Sequence, residues 1–468
     1  MRTPQRRGRV ISSDHGAAMT DSMTAAPVLD RRFYHLACTE TWERFSLHGV
    51  KALLTLYLIN DVLVGDTGTI LGLATLRSML EALSGPLTPL AFASQVYGLY
   101  SALSYLVLPI GGVIGDRLLG RHATIILGAL LIAVGHLCLI DKALLIPALG
   151  LLIAGTGCLK VNLSAQVGAL FPAGVTGRNH AFVVYLAFLN IGVMLGPLLC
   201  GLLAQQLGWS YGFGVAALGM VVALVIYLSA PPAPPASIVP RTAAASRSGV
   251  SGDAIATIAI VVVAFCAYEQ VSNIFLVWIA QHIRLDIGGF RVPPAWFAAA
   301  DGLFTILLVA LFAAIGRHRA RYRSAAMSSA ALLAIGCAAI GAGFLVLATA
   351  AAIGASNALL PLAALVLLDA GVVLVWPAGL ALVTATAPTG SSGTMVGLFY
   401  LHGFIANLFV GWLGGFYERL STATFWVCHA AIAGIALLMA LALHRALSTR
   451  STRPNPLAPN TPALDRRP

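Results

Sequence analysis

The sequence predicts an all-α integral membrane protein: about twelve transmembrane helices arranged as two six-helix bundles. Three observations carry this. Hydrophobic residues make up 59% of the 468 residues and charged residues 10%. An average soluble domain has about 25% charged residues, so a soluble fold would have little polar surface to show to water. Apolar stretches long enough to span a bilayer, about 20 residues each, recur along the chain. A proline-rich segment beginning Pro231-Pro232-Ala233-Pro234-Pro235 divides them six and six, the layout of two structural repeats around a central site.

In chain order the spans fall at approximately 34–60, 92–115, 122–141, 144–170, 180–205, 210–230, 254–280, 294–316, 325–349, 357–383, 393–416 and 421–445. The domain reading follows from them. Residues 1–33 form a disordered cytoplasmic tail, with no apolar core and no character of a cleaved signal peptide. Residues 34–230 form the first bundle, 231–253 a cytoplasmic linker, 254–445 the second bundle and 446–468 a second cytoplasmic tail.

The net charge of +11 raises the question of nucleic acid. Its distribution excludes that partner, because the excess lies in the tails and short loops without interleaved aromatics. It reads instead as membrane topology. With the N-terminus inside, cytoplasmic segments hold about twenty Lys and Arg and the opposite side about five. Both termini are therefore expected in the cytoplasm. The seven cysteines all fall in apolar segments and none forms a CxxC pair, so they read as small core residues rather than a disulfide framework or metal site.

Three cations remain inside spans: Arg44, Lys51 and Lys160. Glu40, Glu43, Arg44, His48 and Lys51 follow i, i+3, i+4 spacing and share one helical face. Insertion of one such charge costs about 2.5–3.5 kcal/mol, so an intramembrane stripe of two acids and two bases points to function. A proton-coupled carrier needs a carboxylate that changes protonation as its cation partner comes and goes. Glu40, Glu43 and Arg44 supply that set, with Lys160 of another helix as an alternating partner; a static buried salt bridge is the competing reading.

Between the second and third spans the chain reads Gly111-Gly112-Val113-Ile114-Gly115-Asp116-Arg117-Leu118-Leu119-Gly120-Arg121. It resembles the signature loop of the major facilitator superfamily. Further pieces are Glu40-Thr41-Trp42-Glu43-Arg44-Phe45 on helix one, Tyr97-Gly98 and Tyr105 on helix two, and Gly155-Thr156-Gly157-Cys158-Leu159-Lys160-Val161-Asn162 on helix four. To these add Asn190-Ile191-Gly192 on helix five, Tyr268-Glu269-Gln270 on helix seven, and Pro377-Ala378-Gly379-Leu380 with Ala387-Pro388 on helix ten. Together they resemble the proton-dependent oligopeptide transporter family, a branch of that superfamily, over nearly all of residues 33–445.

The resemblance implies a major facilitator fold and a symporter that imports di- or tripeptides, or peptide-like compounds, by alternating access. Protons are the coupling ion and no other cofactor is expected. It implies that Arg44, Lys51 and Lys160 hold a peptide carboxylate, that Asn190 meets the peptide backbone, that Tyr97 and Tyr105 line the pocket, and that Glu269 is a gating or proton-linked acid. His48 either lines the pocket, titrates there near neutral pH, or is a hydrogen-bonded helix residue.

Three departures stand out. Lys51 occupies a position that is usually Arg. The family's helix-ten acid would fall at Val372, while Asp369 lies one turn earlier on nearly the same face. On helix eight, Trp296-Phe297 is followed by Asp301-Gly302 where Asn-Pro is usual. Asp301, Asp369 or both are expected to replace the lost acid as partner of the peptide amine. On helix eleven, Phe399-Tyr400 keeps an aromatic wall, and His402 reads as a packed histidine.

The partners expected are small peptides or peptide-like solutes and the lipid bilayer of a bacterial inner membrane, with the protein acting as a monomer. The alternative is a same-fold carrier of another anionic or zwitterionic solute, such as nitrate, an amino-acid conjugate or a drug. A membrane sensor would need an appended signalling domain. An enzyme would need a motif such as HExxH or GxSxG, or a His/Cys cluster, and the sequence holds none.

Overall fold

The computed structural model describes residues 29–171, 178–232, 251–321, 327–386 and 392–451. Most of both tails, most of the 231–253 linker and the Ala387-Pro388 pair lie outside the described residues.

The chain is a helical bundle. The first half comprises α1 (Arg31–Tyr57), α2 (Leu73–Ser84), α3 (Pro89–Leu118), α4 (Arg121–Cys138), α5 (Leu145–Leu170), α6 (Arg178–Leu207) and α7 (Trp209–Leu228). The second half comprises α8 (Gly252–Tyr268), α9 (Ile274–His282), α10 (Trp296–Arg321), α11 (Ser329–Ala352), α12 (Leu359–Ala385), α13 (Ser392–Gly414) and α14 (Thr422–Ser451). A two-residue hairpin, β1 (Asp286–Ile287) and β2 (Phe290–Arg291), precedes α10. Gly288 and Gly289 turn it with φ of 58° and 84°, a backbone region other residues rarely enter.

Eleven helices among the described residues are long and apolar enough to span a membrane. The twelfth span is α1, 27 residues long. Glu40, Glu43, Arg44 and Lys51 in its middle set it apart from the others. Lipid-facing surfaces read as expected. On α4, Leu127, Leu130, Val134 and Leu137 recur at helical spacing and are all exposed. Only hydrocarbon makes such a stripe favourable, while the helices satisfy their own backbone bonds.

Two local features differ from the sequence reading. Helix α2, with only Leu73 buried, occupies what reads as a loop and is too short to cross. The seventh span is broken: α8 ends at Tyr268, a 3₁₀ turn covers Glu269–Ser272, and Asn273 lies off the helical path at φ −121° and ψ −105° before α9. Such a break is tolerated in a membrane where protein groups satisfy the freed backbone.

Within the halves, α1 packs on α6 and α7, α4 on α5, and α11 on α12 and α14. The halves meet where α3 lies against α13 and α6 against α10. The two glycine motifs of the first half are partners. A Cβ on Gly111 of α3 would lie 1.8 Å from the carbonyl oxygen of Gly157 on α5, and Asn162 Nδ2 donates to the Gly111 carbonyl at 2.9 Å. Small residues let transmembrane helices approach this closely. At the motif's far end Arg121 pairs with Asp116 at 3.0 Å.

Gly111→Val therefore forces the two backbones apart, and overpacking of this kind costs typically about 1–3 kcal/mol. Thermal unfolding in detergent should show a lowered midpoint for Gly111→Val. Gly150→Val, on the same α5 with nothing within 4 Å of its Cβ, should leave the midpoint unchanged.

Candidate functional site

Between the halves lies a cavity of about 110 Å³ with walls of opposite charge. The first half contributes Arg44, His48 and Lys51 from α1, Tyr105 from α3 and Lys160 from α5; the second contributes Tyr268, Glu269 and Asp301. A second cavity of about 340 Å³ shares Tyr105 and Lys160 and runs on to Pro109, Ser164 and Tyr400. It leads toward the end where α1 begins, the end at which Phe33 stacks edge-on against Phe171 after α5.

The α1 stripe forms as its spacing predicts. Asp30 caps the helix, accepting from the Phe33 N–H at 2.7 Å. Thirteen residues or so further in, about three to four helical turns, the Arg44 guanidinium takes both acids: Nη2 lies 3.1 Å from Glu40 Oε1 and Nε lies 2.7 Å from Glu43 Oε2. Both glutamates are 1% exposed. The outer oxygens, Glu40 Oε2 and Glu43 Oε1, have no hydrogen-bond partner among the described residues. A planar fork can serve two carboxylates where an ammonium cannot do so as well. The trio nevertheless carries two acids against one base.

Lys160 does not join it in this state. Its Nζ lies 5.3 Å from the Tyr105 ring centroid, and no carboxylate among the described ion pairs is its partner. It faces the cavity without an ion pair among the described residues, with Glu43 and Glu40 within electrostatic reach. Lys51 is engaged elsewhere. Its Nζ sits 3.9 Å from Glu269 Oε2 of the other half and 5.7 Å from the Tyr97 ring centroid. Lys51 and Glu269 thus form an ion pair between the bundles.

Opposite, Asp301 and Asp369 meet. The Tyr268 hydroxyl lies 2.7 Å from Asp301 Oδ1 and 3.3 Å from Asp369 Oδ1. Next to Asp301, α10 approaches α6 closely: a Cβ on Gly302 would lie 2.8 Å from the Met194 backbone nitrogen. Beside the cavity, at the break after α8, a buried polar network joins the halves. Thr55 Oγ1 donates to Asn273 Oδ1 at 2.9 Å, Asn273 Nδ2 donates to Ser94 Oγ at 2.8 Å, and Ser94 Oγ donates to the Gly411 carbonyl at 3.0 Å. These bonds anchor the Asn273 side chain where the helix breaks, while its backbone N–H donates to the Gln270 carbonyl at 3.1 Å.

Seven of the residues singled out by sequence line the central cavity: Arg44, His48, Lys51, Tyr105, Lys160, Glu269 and Asp301. Four do not. Tyr97 is fully buried, with its ring beside Lys51. Asn190 turns inward to donate to its own Leu186 carbonyl at 2.9 Å. Asp369 is fully buried and reaches the cavity through Tyr268 and Asp301. Glu40 is sealed behind Arg44, as Glu43 is. The reason is common to them: helical spacing gives a face, while neighbouring helices decide which part of that face stays open. His402 is packed, as expected, among the Phe265, Phe399 and Tyr105 rings, with Nδ1 at 2.5 Å from the Phe399 carbonyl. The sequence reading missed Tyr268 as a site residue, although it immediately precedes Glu269.

Removing Arg44 leaves two carboxylates buried together, and stranding a buried partner costs about 3–5 kcal/mol. Arg44→Met should lower the unfolding midpoint in detergent. Adding Glu40→Gln and Glu43→Gln should restore most of the loss, since the charges to be neutralised are gone.

The chain matches the model of the Major Facilitator Superfamily over residues 62–411. It is 27% identical to a protein named peptide transporter YePEPT from Yersinia enterocolitica, covering 81% of this chain and 86% of that one. It is 38% identical to the di-/tripeptide transporter of Lactococcus lactis over 192 residues, 40% of this chain and 35% of that one. Among solved structures it is similar to a peptide transporter in complex with alafosfalin, with TM-score 0.74, 23% identity, and coverage of 94% of this chain and 99% of that one. It is also similar to a transporter of the same family in complex with 5-aminolevulinic acid, with TM-score 0.73, 20% identity, and coverage of 92% and 100%. With the signature loop, the α1 ion trio and the two-bundle fold in place, the chain belongs to the major facilitator superfamily.

Proposed function

We propose that this protein is a proton-coupled symporter that imports di- or tripeptides, or closely peptide-like compounds, by alternating access. The observation that carries the reading is the cavity with Arg44, Lys51 and Lys160 on one wall and Asp301 and Glu269 on the other. A zwitterion has a carboxylate for the first wall and an ammonium for the second. The peptide transporters among its relatives support the same substrate class.

In this reading Lys160, which has no ion pair among the described residues, meets the substrate carboxylate first. Arg44 is occupied by Glu40 and Glu43; a proton arriving on either acid frees part of its fork to join Lys160. The ammonium goes to Asp301, with Asp369 behind it. Glu269 holds Lys51 across the bundles, and a proton on Glu269 releases that tie so the halves can rock. Protons serve as the coupling ion. The protein works as a monomer in a bacterial inner membrane, with both termini in the cytoplasm on the lysine and arginine distribution.

A second reading keeps the fold and changes the solute to another small zwitterion or anion. It draws on the loss of the helix-ten acid at Val372 and on the related transporter solved with 5-aminolevulinic acid.

Purified protein in proteoliposomes should accumulate a labelled dipeptide only under an inward proton gradient. Uptake that is absent, or indifferent to the gradient, overturns the reading. If the ammonium meets Asp301, Asp301→Asn removes a charge-assisted contact worth about 1.5–3 kcal/mol, or roughly 10- to 150-fold in apparent dipeptide affinity. An N-acetylated dipeptide, which has no ammonium, should compete equally with both forms.

A further inference from the structure

The three groups at the acidic wall present a counting problem. The Tyr268 hydroxyl has one hydrogen, yet two carboxyl oxygens flank it, at 2.7 Å from Asp301 and 3.3 Å from Asp369. Asp369 is fully buried, and its Oδ2 has no hydrogen-bond partner among the described residues. Neither aspartate belongs to any ion pair among the described residues; the paired carboxylates nearest the cavity are Glu40, Glu43 and Glu269. Two ionised carboxylates around one hydroxyl, without a cation, would combine like-charge repulsion with an uncompensated buried charge.

The surroundings do not relieve this. Helix α8 brings Tyr268 and Glu269, and Glu269 is already bound to Lys51. Across the cavity α1 brings Arg44 and His48 beside Lys51, α5 brings Lys160, and α3 brings Tyr100 and Tyr105. Of these cations, Arg44 is bound to two glutamates and Lys160 lies against Tyr105. Behind the pair, α11 carries no acid, base or histidine over Ser329–Ala352, with Cys337 its one thiol. Helix α6 meets α10 through the Met194 backbone, and α13 adds Tyr400 and the packed His402.

We propose that Asp301 and Asp369, bridged by Tyr268, hold one proton between them, forming a proton site separate from the α1 glutamates and presenting a single negative charge to the cavity. With that proton the bonding closes. Tyr268 donates to Asp301, the carboxyl hydrogen sits between the acids, and Asp301 faces the cavity as the charged member. Asp369 is then a positioning residue: it holds Tyr268 and Asp301 in place and keeps the wall at one charge. Such a wall matches a single ammonium and disfavours a dicationic head group. The preference for a monocation rests on the transport reading above; the proton does not, and it is tested without any solute.

The test is infrared spectroscopy of the substrate-free protein in lipid at neutral pH, with aspartate carboxyls carbon-13 labelled. The other buried acids in the spans are glutamates, Asp30, Asp66, Asp116, Asp141 and Asp286 are exposed, and the half-buried Asp61 and Asp253 are ion-paired, so a protonated carboxyl band that moves with the label and is lost with Asp369 reports this pair. The expected result is a label-sensitive band in the wild type that Asp369→Asn abolishes, leaving Asp301 ionised. If Asp369→Asn does not fold, the labelled wild type still decides, together with Tyr268→Phe, which should move the band by removing its hydrogen-bonded bridge. Absence of a label-sensitive band, or its persistence unchanged in Asp369→Asn, overturns the proposal.

Discussion

Arg44 is the interaction on which the rest of the site depends. An apolar bundle admits a charge only where another charge, a hydrogen bond or a cavity compensates it. By gripping Glu40 and Glu43 together, Arg44 makes a helix with four central charges compatible with the surrounding spans. That engagement also determines what is left over. With Arg44 bound to its own helix and Lys51 bound to Glu269 of the other half, Lys160 is the cation that faces the cavity without an ion pair among the described residues. The polarity of the site is thus a residue of internal pairing, and any change of protonation in α1 redistributes it.

Local signals in the sequence carried far where they were self-contained. The α1 stripe was legible because i, i+3, i+4 spacing places side chains together whatever surrounds the helix. The glycine motifs of α3 and α5 were legible as close-approach surfaces, and they pack on one another through Gly111 and Gly157. What was not legible required knowledge of the other helices. Tyr97 and Asn190 lie on the correct elements, yet neighbouring helices bury one and turn the other onto its own backbone. The break at Asn273 has no glycine or proline to mark it. It is sustained by Thr55, Ser94 and Gln270, of which the first two lie far away in sequence. Helix α2 escaped notice because a short surface helix has no spanning signal.

The ties between the halves differ in kind, and that difference bears on motion. Gly98 of α3 and Gly411 of α13 pack backbone to backbone, so that a Cβ on Gly98 would lie 2.6 Å from the Gly411 Cα. Around them the Thr55–Asn273–Ser94 bonds are wholly buried. Lys51 and Glu269, by contrast, are 3.9 Å apart, with side chains 12% and 11% exposed. A contact at that distance is loose, and a proton on Glu269 removes its Coulomb attraction outright. The buried bonds are neutral and indifferent to protons. Of the ties described, the ion pair is therefore the one through which a proton can act on the geometry of the whole molecule.

Charge bookkeeping across the cavity explains why a proton and a zwitterion would travel together. Arg44, Lys51 and Lys160 are matched in number by Glu40, Glu43 and Glu269, so the three bases and three acids sum to zero. The aspartate pair lies outside that balance. A zwitterion adds no net charge, but it needs a free cation for its carboxylate, and the α1 pairing leaves Lys160 alone for that task. Freeing part of Arg44 without a proton would leave a glutamate buried and unpaired, at a cost of several kcal/mol. In the proposed transport reading, a proton on that glutamate removes the cost, and a substrate carboxylate takes the place of the lost anion beside Arg44. Proton and substrate each supply what the other's binding takes away, which is coupling by linkage.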